Sequence, residues 1–284
     1  MKIQELLREG YKILKPINEE TYMVDCQLLL QYVLNKDKLF IITNKDFDVD
    51  NDRCDAYFQL VKFRSKRMPI KYLLKQCEFM GFDFYVREGV LIPRPDTEVL
   101  VEQVINEVSL HGYQKVCDVC CGSGIIGISI AKLIMGISVE CCDISTDAAE
   151  VTAENIKRLG ASDRVKFTKS DLLSYAIEAG YKFDVVVSNP PYVREDVIPT
   201  LMEDVKNYEP YIALSGGEDG LRFYRAITEQ SKKVLNNGGL LAYEIGHDQG
   251  EAVVSILESS SFVDVKCIKD YAGNDRVVMG KLRV

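Results

Sequence analysis

The chain has no apolar run approaching the roughly 20 residues that span a bilayer, and its first ten residues, MKIQELLREG, are charged and spaced like an amphipathic helix rather than a signal peptide. A cytoplasmic protein without membrane contact is therefore expected. Histidine is scarce: His111 and His247 are the only two, and neither falls in a catalytic constellation. Internal repeats and low-complexity tracts are absent. A disulfide framework is also excluded, because the nine cysteines are odd in number and sit mostly inside apolar runs, as reduced thiols do. Cys117, Cys120, Cys121, Cys141 and Cys142 have a zinc-like spacing. They lie on or beside core strands, however, where neighbours point to opposite faces, so four can hardly converge and no metal is expected.

What remains is a chain of 284 residues, 47% hydrophobic, long enough for one large domain and a small one. Charge is divided unevenly. Residues 1–78 hold 14 Lys/Arg against 12 Asp/Glu, and residues 79–284 hold 21 against 31. An acidic C-terminal part is a poor general phosphate binder, which argues against direct nucleic-acid binding. The stretch KFRSKRMPIKYLLK carries Lys62, Arg64, Lys66, Arg67, Lys71 and Lys75 with no acid among them. It reads either as a solvated helix face or as a docking surface for an acidic protein or an RNA.

Along the chain, IQELLREGYKIL, VDCQLLLQYVLN and CDAYFQLVKFRSK space apolar residues at three and four and predict helices; acids in NKDFDVDNDRCD are placed to open the last of them. CEFMGFDFYVREGVLIP alternates around Gly81 and predicts a short hairpin, and PDTEVLVEQVINEVSL predicts a long helix. YQKVCDVC, GISVECCD, DRVKFTKSD, FDVVVSN and GGLLAYEIG are apolar on both faces, as strands of a parallel sheet covered by helices are. FVDVKCIKDYAGNDRVVMGKLRV predicts a closing antiparallel hairpin. The expected fold is α/β: a doubly wound, mostly parallel, seven-stranded Rossmann-like sheet at residues 94–284 ending in that hairpin, a hairpin linker at 79–93, and an all-helical domain at 1–78.

Three strand ends carry candidate chemistry. Cys120, Cys121, Gly122, Ser123 and Gly124 join a strand to a helix, where glycines let a ligand approach the backbone. Twenty-three residues after Cys120, Asp143 ends the next strand and can accept from both ribose hydroxyls, or cap the following helix. Asp171 and Leu172 arrive at the same edge. In FDVVVSNPPYV the strand must then stop at Ser188 or Asn189, because Pro190 and Pro191 have no N–H to continue it. Asn189 is left at the strand's carboxyl end in extended geometry, where open α/β sheets bind ligands. Glu244 lines the site or bonds a neighbouring loop, and Thr97 either caps its helix or meets a ligand.

Glycine loop, acidic strand end, SD turn and NPPY, in that order, resemble the S-adenosylmethionine-dependent methyltransferases that act on planar nitrogen. GVLIPRPDTEVLVE, MPIKYLLKQCEFMGFDF, YEPYIALSGGEDGLRFYR and KDYAGNDRVVMG narrow this: with NPPYV, and in order over residues 68–284, they closely resemble the HemK-type protein-(glutamine-N5) methyltransferases of peptide chain release factors. Over residues 1–67 the likeness rests on length and helical character. The resemblance implies that residues Cys120 to Gly124, Asp143, Asp171, Leu172 and Asn189 surround S-adenosylmethionine, with S-adenosylhomocysteine as product. It implies that Asn189, Pro190, Pro191 and Tyr192 hold the acceptor glutamine, with Asn189, Pro190 and Tyr192 carrying the chemistry. A release factor is the implied partner, docked by the helical domain, and a monomer is expected. The family's usual Gly-X-Gly-X-Gly is here Cys-Cys-Gly-Ser-Gly; if its first position needs φ above zero, cysteine is strained there by about 1–2 kcal/mol. The alternative is an N6-adenine or guanine-N2 nucleic-acid methylase, which shares NPPY but needs a basic recognition region.

Overall fold

The computed structural model describes residues 1–283, which divide into two compact units: Met1–Gln76 with Met202–Tyr208, and Cys77–Leu201 with the chain from Glu209 onward. The first unit contains α1 (Ile3–Leu14), α2 (Tyr22–Leu34), α3 (Lys38–Thr43), α4 (Asn51–Ser65) and α5 (Ile70–Leu74). Their apolar stripes close on one another: Ile3, Leu6 and Leu14 share a core with Leu29, Leu30, Tyr57 and Val61. Asp50 opens α4 as its place in the sequence suggests, accepting from the Arg53 N–H at 2.9 Å. Six-residue α3 is too short to show a periodicity, yet Asp37 caps it in the same way.

Arg64, from the basic run, is neither a solvated cation nor a docking one. It is buried within this unit, its Nε 2.7 Å from Asp25 and its Nη1 2.9 Å from Asp204. Arg67 pairs with Glu203, and the Tyr208 hydroxyl donates to the Lys66 carbonyl. A segment 140 residues downstream of Arg64 is thus part of the helical unit, joined to it by polar contacts.

The second unit opens with a hairpin of β1 (Cys77–Phe79) and β2 (Phe82–Phe84), then α6 (Thr97–His111). Strands and helices alternate after it: β3 (Lys115–Val119), α7 (Ile125–Leu133), β4 (Ser138–Asp143), α8 (Thr146–Arg158), β5 (Val165–Lys169), α9 (Ser174–Ala179) and β6 (Phe183–Ser188). The chain passes through α10 (Glu203–Tyr208), which belongs to the first unit, and returns as α11 (Tyr211–Leu214), α12 (Arg222–Val234), β7 (Leu235–Glu244), α13 (Gly250–Glu258), β8 (Phe262–Lys269) and β9 (Asp275–Leu282).

Sheet order is β5-β4-β3-β6-β7-β9-β8, parallel through β7 and antiparallel in the last two pairings. Because successive strand residues face opposite sides, β6 sends Val185 and Val187 into one helix-covered core and Val186 into the other, where Phe183 joins it across a register shift at the start of the strand. Each fully buried side chain of this kind contributes about 1.5–3 kcal/mol. The order reverses between β3 and β6. Their carboxyl ends therefore open a crevice that no crossover covers, and ligands bind such folds there.

Candidate active site

The turn from β3 to α7 places Cys120, Gly122 and Gly124 at φ 59°, 55° and 76°, so every second residue is left-handed. The Cys121 N–H meets the Cys142 carbonyl at 3.1 Å, which ties the turn to the neighbouring strand. Cys120 does occupy a position that demands positive φ, and so bears the strain that a glycine would avoid, about 1–2 kcal/mol. Burial pushes its thiol well above the usual range and that of Cys121 to about 12, so neither is a nucleophile at neutral pH.

Asp143 ends β4 with both oxygens engaged: Oδ2 accepts from the Gly122 N–H and Oδ1 from the Ser145 N–H, each at 2.9 Å. Burial raises its pKa against those bonds. The capping role belongs instead to Ser145, whose hydroxyl accepts from Ala148 at the start of α8. At the end of β5, Leu172 also takes a left-handed φ, 51°.

A cavity of about 280 Å³ opens at these strand ends and brings together Cys120, Gly122, Asp143, Asp171, Leu172, Asn189 and Pro191. The remaining sequence-derived residues stand behind it. Cys121 is buried with its Sγ near the Thr152 hydroxyl, Ser123 is buried with its carbonyl bonded by Asn155, and Gly124 caps α7. Pro190 and Tyr192 do not line the cavity either. The Tyr192 ring packs on the core beneath β7, and its hydroxyl is 3.5 Å from Glu244 Oε1.

Asn189 is held from behind. Its Nδ2 lies 3.4 Å from Thr97 Oγ1, on the first residue of α6. Thr97 and Glu244 are each only 1% exposed. Thr97 caps nothing and does not line the cavity; it braces Asn189. Glu244 Oε2 has no hydrogen-bond partner, and burial pushes this carboxyl up to about 7 against the pull of Thr97, Arg276 and Asn189. One step further along, Gln249 donates to the Tyr192 and Gly220 carbonyls at 3.1 and 3.3 Å. A Cβ on Gly220 would stand 2.6 Å from the Tyr192 carbonyl oxygen, so only glycine lets the two loops approach.

Several residues of the site are invisible to motif reading. Asp118, one residue into the strand end, is fully buried: Oδ2 accepts from the Gly127 N–H in α7, Oδ1 has no partner, and desolvation raises the group to about 7. Asn155 bonds both Tyr85 and the Ser123 carbonyl, joining the β2 hairpin to the glycine turn. Arg222 and Phe223 line the cavity from the start of α12, with Pro210 and Ile212 beside them. Arg94 pairs with buried Glu209 next to that wall. LRFYR and IPRPDT belong to the stretches that carry the family resemblance, but nothing in their pattern says which side chains face the cavity.

Comparison with known proteins sharpens the assignment. The family model "Methyltransferase small domain" matches residues 95–205, and "PrmC N-terminal domain" matches residues 5–74. A release factor glutamine methyltransferase of Clostridium acetobutylicum is 56% identical over 98% of this chain and 98% of its own length. One of Clostridium botulinum is 52% identical over 99% of both. Among solved structures, the Thermus thermophilus 16S rRNA N2 G1207 methyltransferase, in complex with AdoMet and guanosine, superposes with a TM-score of 0.52 at 16% identity, covering 73% of this chain and 50% of that one. That likeness shows the fold alone. The seven-stranded sheet is common to methyltransferases of different acceptors, whereas identity above half over the whole length, helical unit included, is not, and the chain belongs to the release factor glutamine methyltransferases.

Proposed function

We propose that this protein transfers a methyl group from S-adenosylmethionine to the side-chain amide nitrogen (N5) of a glutamine in a peptide chain release factor. The observation that carries this is the position of Asn189: it directly follows β6, lines the same cavity as Gly122, Asp143 and Leu172, and has its Nδ2 3.4 Å from Thr97 Oγ1, an arrangement that leaves Oδ1 for the acceptor amide. The cavity's donor set fits the methyl donor. Asp143 is half-buried and directed by two backbone amides, Leu172 and Phe223 offer apolar walls, and Arg222 supplies a cation. When bound, S-adenosylmethionine supplies a methyl group on an electrophilic sulfonium.

The chain's residues do the rest. An amide nitrogen is a weak nucleophile because its lone pair is delocalised. Accepting hydrogen bonds from both of its N–H groups localises that pair and selects an NH₂. Asn189 Oδ1, braced through Thr97, accepts one, and the other falls to the Pro190 carbonyl, whose place behind the cavity-lining Asn189 and Pro191 is fixed by the locked φ of the two prolines. Alignment of nitrogen with the methyl carries much of the rate. Tyr192 supports the loop through its ring packing and its hydroxyl near Glu244.

The helical unit, residues 1–78 with the downstream segment now seen to join it, is proposed to dock the factor. A monomer working in the cytoplasm accords with this, and no helix among the described residues is long and apolar enough to cross a membrane. Incubation with labelled S-adenosylmethionine, recombinant release factor and, separately, DNA or RNA tests the proposal. Label is expected on a factor glutamine. Label on nucleic acid and none on the factor would overturn it.

A further inference from the structure

Glu244 is unused by the mechanism above. It is 1% exposed at the end of β7, and its Oε2 has no hydrogen-bond partner. A buried carboxyl left half unsatisfied costs stability, so a function must be looked for in what it faces. Its Oε1 lies 3.5 Å from the Tyr192 hydroxyl, and the Thr97 and Asn189 side chains, 3.4 Å from each other, both bear on the carboxyl. Asp96 beside Thr97 on α6 and Arg276 on β9 also bear on it electrostatically, Arg276 being held by Asp270 and Asp96, and its own carbonyl accepts from Tyr224 of α12.

An asparagine amide presents an acceptor on one side and a donor on the other, and a threonine hydroxyl can serve as either. Nothing in Asn189 and Thr97 alone decides which way the amide turns. An ionised carboxylate only accepts. We propose that Glu244 is a positioning residue for methyl transfer: its orphan Oε2 is the acceptor toward which the Thr97 O–H and the Asn189 NH₂ are turned, so the Thr97 oxygen is left to accept from Asn189 Nδ2, and Asn189 Oδ1 is thereby committed to the acceptor amide.

Were Glu244 neutral, the chain of bonds could run in reverse, with Thr97 donating to Oδ1 and Asn189 offering its NH₂ to the substrate's NH₂. Two donors would then meet, and the acceptor would not bind productively. Burial, which raises Glu244 to about 7, places this choice in the physiological range.

The inference rests on Asn189 holding the acceptor amide, and the test separates the two. Wild-type enzyme, Glu244→Gln, Thr97→Val, Thr97→Ser and the double variant Glu244→Gln with Thr97→Val are compared for kcat and KM with recombinant release factor, for donor affinity by calorimetry, and for kcat against pH from 6 to 8.5. Glutamine keeps the shape of Glu244 but can donate to Thr97 and reverse the chain. Expected are a fall in kcat of about ten- to a hundredfold for Glu244→Gln, donor affinity within about threefold, and loss of a wild-type rise in kcat through neutral pH. Thr97→Val should fall as far as Glu244→Gln, and the double variant no further than either alone, because both break one chain. Thr97→Ser, which restores the hydroxyl, should recover most of the rate. Unchanged kcat in Glu244→Gln, or additive losses in the double variant, would overturn the inference while leaving wild-type labelling of the factor, and the function, intact.

Discussion

The Asn189 amide nitrogen stands 3.4 Å from the Thr97 hydroxyl, a contact across ninety-two residues of sequence that joins the end of β6 to the first turn of α6. Two proline rings stop the strand, and a threonine on another element then fixes the side chain they leave exposed. Replacing Thr97 by valine keeps its volume and removes the acceptor. Methyl transfer is expected to slow by about tenfold or more, with the melting temperature changed by only a few degrees. Steady-state rates beside a thermal melt check this; full activity in Thr97→Val would release Asn189 from this constraint.

Cys120 sits at φ 59°, where side chains are disfavoured and β-branched ones are excluded most strongly. Cys120→Gly trades that strain for extra unfolded-state entropy, so stability should stay within about 1 kcal/mol and donor affinity should persist. Cys120→Val should weaken donor binding at least about tenfold. Calorimetric titration of the two variants distinguishes them, and equal affinities would mean that the left-handed turn does not shape the donor site.

Arg64 joins Asp25 and Asp204 inside the helical unit, both pairs below 3.0 Å. Arg64→Met leaves Asp25 buried without its cation, at a cost of about 3–5 kcal/mol; Asp204→Asn, at a more exposed site, should cost clearly less. Denaturant unfolding of the two variants gives the comparison. Similar losses would show that Asp204, not Asp25, is the partner that matters.

Much of this was legible before the structure. Strands such as FDVVVS announce themselves by being apolar on both faces, and Asn189 by the prolines behind it. Asp143 and Leu172 follow from lying at successive strand ends. Other features were hidden for physical reasons. The segment from 198 to 214 folds into turns of three to six residues, too short for a periodicity, and part of it joins the helical unit through Arg64. Thr97 and Glu244 could be placed near the site but not given a role, and Asp118 could not be placed at all, because each acts through contacts made only when distant elements pack, and a single acid in an apolar strand carries no sign of whether it will be buried, paired or left with an orphan oxygen.

Buried acids also set how stability varies with pH. Asp118 and Glu244 have folded-state pKa values raised to about 7 by desolvation, above the unfolded value near 4. Between those limits the folded state binds more protons than the unfolded one. Stability contributed by the neutral acids is therefore full below about 4 and declines as pH rises toward about 7. Asp270, held down by the Asn274 N–H and Arg276, acts in the opposite sense and is lost as pH falls through its depressed value. The protein without ligand should melt several degrees higher at pH 5 than at pH 8, and Asp118→Asn should flatten the difference. A wild-type melting temperature that climbs from pH 5 to 8 would contradict this.

The central claim is that Asn189 presents a hydrogen-bond acceptor to a glutamine amide beside the methyl donor. Mass spectrometry of a recombinant release factor, incubated with S-adenosylmethionine and either wild-type enzyme or Asn189→Ala, tests it most directly, with donor affinity measured on both proteins. One added methyl on a single glutamine is predicted with wild type. With the variant the rate should fall at least about a hundredfold while donor binding is mostly kept. A methylated factor at undiminished rate from Asn189→Ala would contradict the account.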